Sequence, residues 1–281
     1  MSILAAIVLA LVAGITEIFP VSGTGHLYLF AKLLGVRSAE AEFQSFRAML
    51  YFGVALGGCL FYHTQIGDIV RENLVLLGLK RPANRLRGEP FGRRLGLLLL
   101  LANIPMLPAL LLNGLRLRVE QDAYTLAVIS VLLVFSGTLL YFAARSARGR
   151  RSIHDMTLSD ALIAGTAQIL TIFPGLSRSG FTVGVLLNRG LEGPAAVEFT
   201  GLLGIPAFIA AGIFSLFSAG SAEGTAAAAP FLILGFSLSA LSGFFTLRFF
   251  TDLMARRRPT GFSYWSWGAA ILSLILFLIS A

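Results

Sequence analysis

Two apolar stretches of this chain are too long for a single membrane crossing, and each is broken in the middle by glycine, proline and polar residues. The first runs from Ile3 to Leu34 and is interrupted by FPVSGTG; the second runs from Leu158 to Leu187 and is interrupted by FPGLSRSG. A spanning helix needs ~20 apolar residues, so each stretch is expected to be a helix, an irregular tip and a second helix returning to the side of entry. Irregular backbone survives at membrane depth only where it is buried in protein or lines a wet cavity. Both tips are therefore expected inside a helical bundle.

Six further stretches have spanning length: Phe46 to His63, Leu95 to Leu115, Ala123 to Ala144, Val197 to Phe217, Pro230 to Phe250 and Phe262 to Ala281. Their abundance reflects a composition of 56% hydrophobic and 13% charged residues, far from soluble-domain averages. The expected fold class is an all-α polytopic membrane protein with six transmembrane helices plus two re-entrant helical hairpins. Cations crowd alternate connections: Arg71, Lys80, Arg81, Arg85, Arg87, Arg93 and Arg94 in one, Arg145, Arg148, Arg150 and Arg151 in another, and Arg256, Arg257 and Arg258 in a third. Elsewhere Arg116 and Arg118 are offset by Glu120 and Asp122, and Glu223 stands alone. The positive-inside rule places the three basic loops in the cytoplasm and both termini outside.

Laying Ala10–Gly14, ALVAG, on Ala161–Gly165, ALIAG, brings Glu17 onto Gln168 and, after a three-residue insertion, Phe19-Pro20 onto Phe173-Pro174. Each half is then a hairpin followed by three spans, and an odd number of crossings inverts the second half. The expectation is a single membrane domain over 1–281, with one repeat at about 1–145 and the other at about 158–281, and a ligand site where the half-helices meet near the midplane.

A net charge of +8 raises nucleic acid as a partner. The cations lie in short runs between apolar segments, however, where topology and anionic headgroups account for them, so none is expected. Cys59 is alone, and His26, His63 and His154 are far apart in sequence, which excludes a disulfide framework and zinc-ligand spacing. The first residues lack a basic n-region, and Glu17 stands where a signal cleavage site would fall, so they read as part of the mature protein.

After each FP break a helix is expected to start, at Ser22-Gly23-Thr24-Gly25 and at Ser177-Arg178-Ser179-Gly180. Unpaired N–H groups and the helix dipole favour an anion at such ends, and a guanidinium binds phosphate oxygens bidentately. Two facing ends with Arg178 make a phosphate or pyrophosphate cradle; Ser22 and Ser177 read equally well as ordinary N-caps. A charge near mid-membrane costs at least ~2.5–3.5 kcal/mol on insertion scales, so Arg178 marks a site. Glu17 and His26 flank the first break and can divide acid, base or nucleophile roles in phosphoryl transfer; the alternative for His26 is a structural ring satisfied by a backbone carbonyl. Glu198 is a weaker candidate, and Asp160 is explained by capping. Gly53, Gly57 and Gly58 suit a close packing face, and Tyr264, Trp265 and Trp267 an interfacial belt.

TEIFPVSGTGHL and FPGLSRSG resemble the two signature loops of the undecaprenyl-diphosphate phosphatase family, bacterial membrane enzymes that remove one phosphate from the C55 isoprenoid diphosphate carrier during cell-wall recycling. The family's loops typically read E-G-x-T-E-F-x-P-x-S-S-T-G-H and P-G-x-S-R-S-G. The resemblance covers nearly the whole chain and implies six spans with two inverted re-entrant hairpins in the cell membrane. It assigns catalytic roles to Glu17, Ser22, Thr24, His26 and Arg178, and phosphate binding to Gly25, Ser177, Arg178, Ser179 and Gly180. It further implies a polyprenyl diphosphate substrate, a divalent cation such as magnesium or calcium with Glu17 as a ligand, and a homodimer.

Four positions depart from the pattern. Ala13 replaces the family's first glutamate, Gly23 its second serine, and Arg47 and Tyr51 align with an acidic residue and a glutamine on the first span. The site thus keeps Glu17 alone of its acidic set and gains a cation. Retention of Glu17, His26 and Arg178 favours hydrolysis; the departures favour the alternative, a transporter or binding protein that holds a polyprenyl phosphate in the same cradle without cleaving it.

Overall fold

A computed structural model describes residues 1–37, 40–76, 79, 91–108, 112–121, 124–146, 149–220, 225–256 and 259–280. The loop residues Lys80, Arg81, Arg85, Arg87, Asp122, Arg148, Glu223, Arg257 and Arg258 lie outside the described residues. The elements are helices: α1 (Ile3–Thr16), α2 (Gly23–Leu33), α3 (Ala41–Phe61), α4 (His63–Leu76), α5 (Phe91–Asn103), α6 (Asn113–Gln121), α7 (Thr125–Ser146), α8 (Leu158–Ile169), α9 (Arg178–Asn188), α10 (Gly193–Ala219), α11 (Thr225–Arg256) and α12 (Thr260–Ser280).

Among the described residues four helices, α7, α10, α11 from Ala229 and α12, are long and apolar enough to cross a membrane, and α3 with α4, bent by 79° at their junction, adds a fifth when the pair is counted as one span. The sixth expected span, Leu95 to Leu115, is not one helix. It divides into α5, a 3-10 turn at Ile104–Met106 and α6, because Pro105 and Pro108 remove backbone donors and clash with the preceding turn. Lipid-facing surface is evident in the exposed Phe135, Phe217, Phe245, Phe249 and Ile279 on α7 and α10–α12.

Without a hydrophobic drive between helices in lipid, small residues that admit close approach decide the packing. Gly14 of α1 lies against the Ser239 carbonyl and Ser242 of α11, and Gly53 and Gly57 of α3 lie against Phe236, Ser239 and Ala240 of the same helix. Long α11 is thereby clamped between α1 and α3, while α7 packs on α12 and α8 on α5. Gly165 faces the Ala102 carbonyl of α5 as Gly14 faces α11, so the ALxAG strings occupy equivalent packing positions.

Described residues of two basic segments meet the start of α8. Both terminal nitrogens of Arg94 donate to the His154 and Met156 carbonyls at 2.9 and 2.6 Å. Arg151 and Arg189 donate to opposite oxygens of Asp160 at 2.6 and 2.7 Å, and Thr157 and Asp160 close a capping box at the start of α8. Asp160 therefore ties the α7–α8 connection to the C-terminus of α9. Thr125 donates to the Val119 carbonyl at 2.7 Å, which holds α6 at the opposite end of α7.

Candidate active site

The two breaks are built alike and grip each other. Ser22 caps α2 by accepting the Gly25 N–H at 3.3 Å, and Ser177 caps α9 by accepting the Gly180 N–H at 3.1 Å. Ser22 Oγ also accepts the Gly175 N–H at 3.1 Å, while Ser179 Oγ donates to the Phe19 carbonyl at 2.8 Å. Each tip thus satisfies a backbone group of the other. Ser136 of α7 completes the seam, accepting the Ser177 N–H at 3.0 Å and donating to the Gly175 carbonyl at 3.1 Å. Two residues take positive φ here, Ser22 at 71° and Gly175 at 106°. A left-handed serine is strained and persists only where its surroundings over-determine it.

Beside the seam lies a cavity of about 270 Å³ lined by Glu17, Gly23, Thr24, Tyr51, Arg178 and Ser179 among others. Thr24 Oγ1 stands 3.4 Å from Glu17 Oε1 and 3.1 Å from the Tyr51 hydroxyl. Arg178 lies over the Phe208 ring at 4.4 Å from its centroid, a geometry that holds the guanidinium face and leaves its edge free. Its Nε and Nη1 are buried without partners. Gly204 makes room for it, since a Cβ there would stand 2.7 Å from Nη1. Phe208 also stacks with Tyr51, ring centroids 6.4 Å apart. Much of the remaining wall is apolar, with Leu107, Pro206, Ala210 and Phe214.

Of the residues expected in the site, Glu17, Thr24, Arg178 and Ser179 line this cavity; Ser22, Gly25, His26, Ser177 and Gly180 stand behind it in the seam. His26 is engaged at both ring nitrogens. Trp265 Nε1, which can only donate, stands 2.8 Å from Nε2, and the Ser22 carbonyl, which can only accept, stands 2.8 Å from Nδ1. The ring is therefore neutral, protonated at Nδ1. Sequence reasoning gave Trp265 to an interfacial belt, and the link spans 239 positions. Tyr51 enters the cavity from the position aligned with the family's glutamine, and Phe208, Asn103 and Arg116 line it too; an aromatic, an asparagine or a paired arginine in an apolar chain carries no signal of its own.

Two of the departures acquire physical reasons. A Cβ at Gly23 would collide with the Glu17 carboxylate, so the missing serine is what lets that carboxylate lie over the start of α2. Arg47 does not add a free cation to the cavity. It is fully buried, donating from Nη1 to Glu120 Oε2 at 3.0 Å and to the Tyr28 hydroxyl at 2.7 Å.

The residues present do not fit a resident divalent cation. Among the described residues Glu17 is the one carboxylate of the cavity lining, which also carries two guanidinium groups, and no three His, Cys, Asp or Glu side chains gather to hold a metal. A hard divalent cation seeks six or more oxygen ligands, carboxylates foremost.

The profile of the family described as Bacitracin resistance protein BacA matches residues 6–272. The chain is 30% identical to an undecaprenyl-diphosphatase of Carboxydothermus hydrogenoformans over 96% of both chains, and 32% identical to one of Alkaliphilus metalliredigens over 98% of both. It is 34% identical to one of Anaeromyxobacter dehalogenans, over 98% of this chain and 92% of the relative. With interlocked serine-capped tips and a buried arginine in one cavity, and a match along nearly its whole length, the chain belongs to the BacA family of bacitracin resistance proteins.

Proposed function

We propose that this chain removes the terminal phosphate of undecaprenyl diphosphate, yielding the monophosphate and inorganic phosphate and so recycling the cell-wall lipid carrier. One observation carries this reading: the Arg178 guanidinium, held on Phe208 with buried N–H groups unpartnered, shares a cavity with the Glu17, Thr24 and Tyr51 cluster. A buried cation with free donors is costly in hydrocarbon unless an anion meets it, and phosphoryl transfer needs little beyond positioning and charge compensation.

In this mechanism Arg178 binds the terminal phosphoryl oxygens, and Thr24 and Tyr51 orient a water for in-line attack on phosphorus. Glu17 accepts the proton from that water as the new P–O bond forms. The bond to the bridging oxygen breaks, its electron pair leaving with the lipid monophosphate, while Arg178 compensates the charge spread over the transferring group. Ser22, Ser177 and His26 shape the seam without touching the reacting atoms, and the apolar wall at Pro206, Ala210 and Phe214 receives the first prenyl units.

The same reading takes α1–α2 and α8–α9 as re-entrant hairpins of an inverted repeat. The alike capping of both tips supports it, as does the pairing of α1 with α11 against α8 with α5. The basic segments then face the cytoplasm, and the α6 end faces outward. Non-cleaving transport loses one of its arguments, because Arg47 is neutralised by Glu120.

The test is phosphate release from undecaprenyl diphosphate by the purified protein, with Arg178→Ala as control. Release that the variant abolishes supports hydrolysis; intact lipid binding without release from the wild type overturns it.

A further inference from the structure

Helix α6 brings a second guanidinium to the cavity. Arg116 and Arg118 are two residues apart and so lie on nearly opposite faces of the helix: Arg118 is exposed, whereas the Arg116 side chain is only 11% exposed and lines the same cavity as Arg178. Arg116 Nε and Nη2 are buried without hydrogen-bond partners. Among the described residues its counter-charge is Glu120, one turn on and on the same face, an ion pair whose Oε1 stands 3.8 Å from Arg116 Nε, beyond hydrogen-bonding reach. The other oxygen of Glu120 is taken by Arg47 at 3.0 Å.

This arrangement keeps Arg116 attracted inward and its donors open. Because Arg47, itself bonded to the Tyr28 hydroxyl, donates to Glu120, the carboxylate is shared between two cations and its free oxygen stays 3.8 Å from Arg116. The cavity lining then carries two guanidiniums against one carboxylate, Glu17, a net positive balance suited to a doubly or triply charged diphosphate.

We propose that Arg116 is a second phosphate-binding residue of this site, which reaches in from α6 to hold the diphosphate together with Arg178, and that Glu120 and Arg47 are the residues that position it. The proposal deepens the hydrolase reading and rests on it for the identity of the lipid. It also accounts for two departures together. The cation at position 47 serves to occupy Glu120, and the cavity compensates substrate charge with guanidinium groups.

The experiment uses the full-length protein in detergent and two probes, undecaprenyl diphosphate for turnover and inorganic pyrophosphate for calorimetric titration. Arg116→Gln is expected to fold, since Glu120 keeps Arg47 as its partner, and to raise KM and weaken pyrophosphate binding roughly tenfold or more, as loss of a charge-assisted contact does. Arg116→Lys, which keeps the charge but not the fork, is expected to fall between the two. A KM and a pyrophosphate affinity both within about twofold of wild type overturn the proposal, as does a fall in kcat and melting temperature with binding unchanged. Should the wild type release no phosphate, the hydrolase reading fails separately. The pyrophosphate titration still decides the role of Arg116.

Discussion

Ser22 Oγ and the Gly175 N–H stand 3.1 Å apart although 153 positions separate them, and this contact fastens one half of the chain to the other. The same oxygen caps α2 through the Gly25 N–H. Ser22→Ala leaves two buried donors without a partner, at a cost of about 2 kcal/mol. The expected outcome is a lower melting temperature in detergent with measurable turnover retained, read by thermal unfolding and phosphate release. Complete loss of turnover at unchanged stability would instead give the hydroxyl a chemical role.

Gly23→Ser restores the residue of the family pattern, yet it is expected to harm this chain. The new Cβ would meet Cγ and the carboxylate of Glu17, so that side chain must turn and the carboxylate is expected to leave Thr24. Misplacement of a catalytic group by about 1 Å costs roughly a hundredfold in rate. Turnover of the variant against its melting temperature checks this; unchanged turnover removes Glu17 from the reacting centre.

Arg47 and Glu120 form a buried pair, and removal of one member of such a pair strands the other charge at about 3–5 kcal/mol. Arg47→Met is expected to destabilise strongly, and Arg47→Met with Glu120→Met to recover most of the loss. A double-mutant cycle on unfolding in detergent measures the coupling. Near-additive effects mean that the pair is not what holds α3 to α6.

Chelation is the fourth expectation. With one carboxylate and two guanidiniums around the cavity, phosphate release is expected to persist in excess EDTA, within about twofold of the untreated rate on the view that positioned donors supply the charge compensation. A full loss that magnesium or calcium restores means that the substrate brings a cation the cavity accepts.

Much of this architecture is written in the chain. The interruptions FPVSGTG and FPGLSRSG give both breaks and the helix starts after them at Gly23 and Arg178. Ser22 and Ser177 act as the caps their residue type allows, and the glycines of α3 and α1 do pack closely on a neighbour. What could not be read is set by contacts distant in sequence. Nothing local distinguishes Arg116 from Arg118, and the second partner of Glu120, Arg47, comes from α3 across 73 positions. The span at Leu95 to Leu115 failed for a different reason: its hydropathy masks two prolines that split it. For His26 the imidazole was legible but its occupation was not, because the donor comes from the last helix of the chain.

The central claim is that Arg178 meets the phosphate of a diphosphate lipid that is cleaved beside Glu17. Its most direct test is inorganic phosphate released from undecaprenyl diphosphate by the purified wild type and by Arg178→Ala, with the fold of both checked by thermal unfolding. The account predicts release by the wild type and a loss of roughly a hundredfold or more in the variant, the scale of removing a preorganised charge donor. A folded wild type that binds the lipid yet releases no phosphate, or an Arg178→Ala variant that turns over at the wild-type rate, would contradict it.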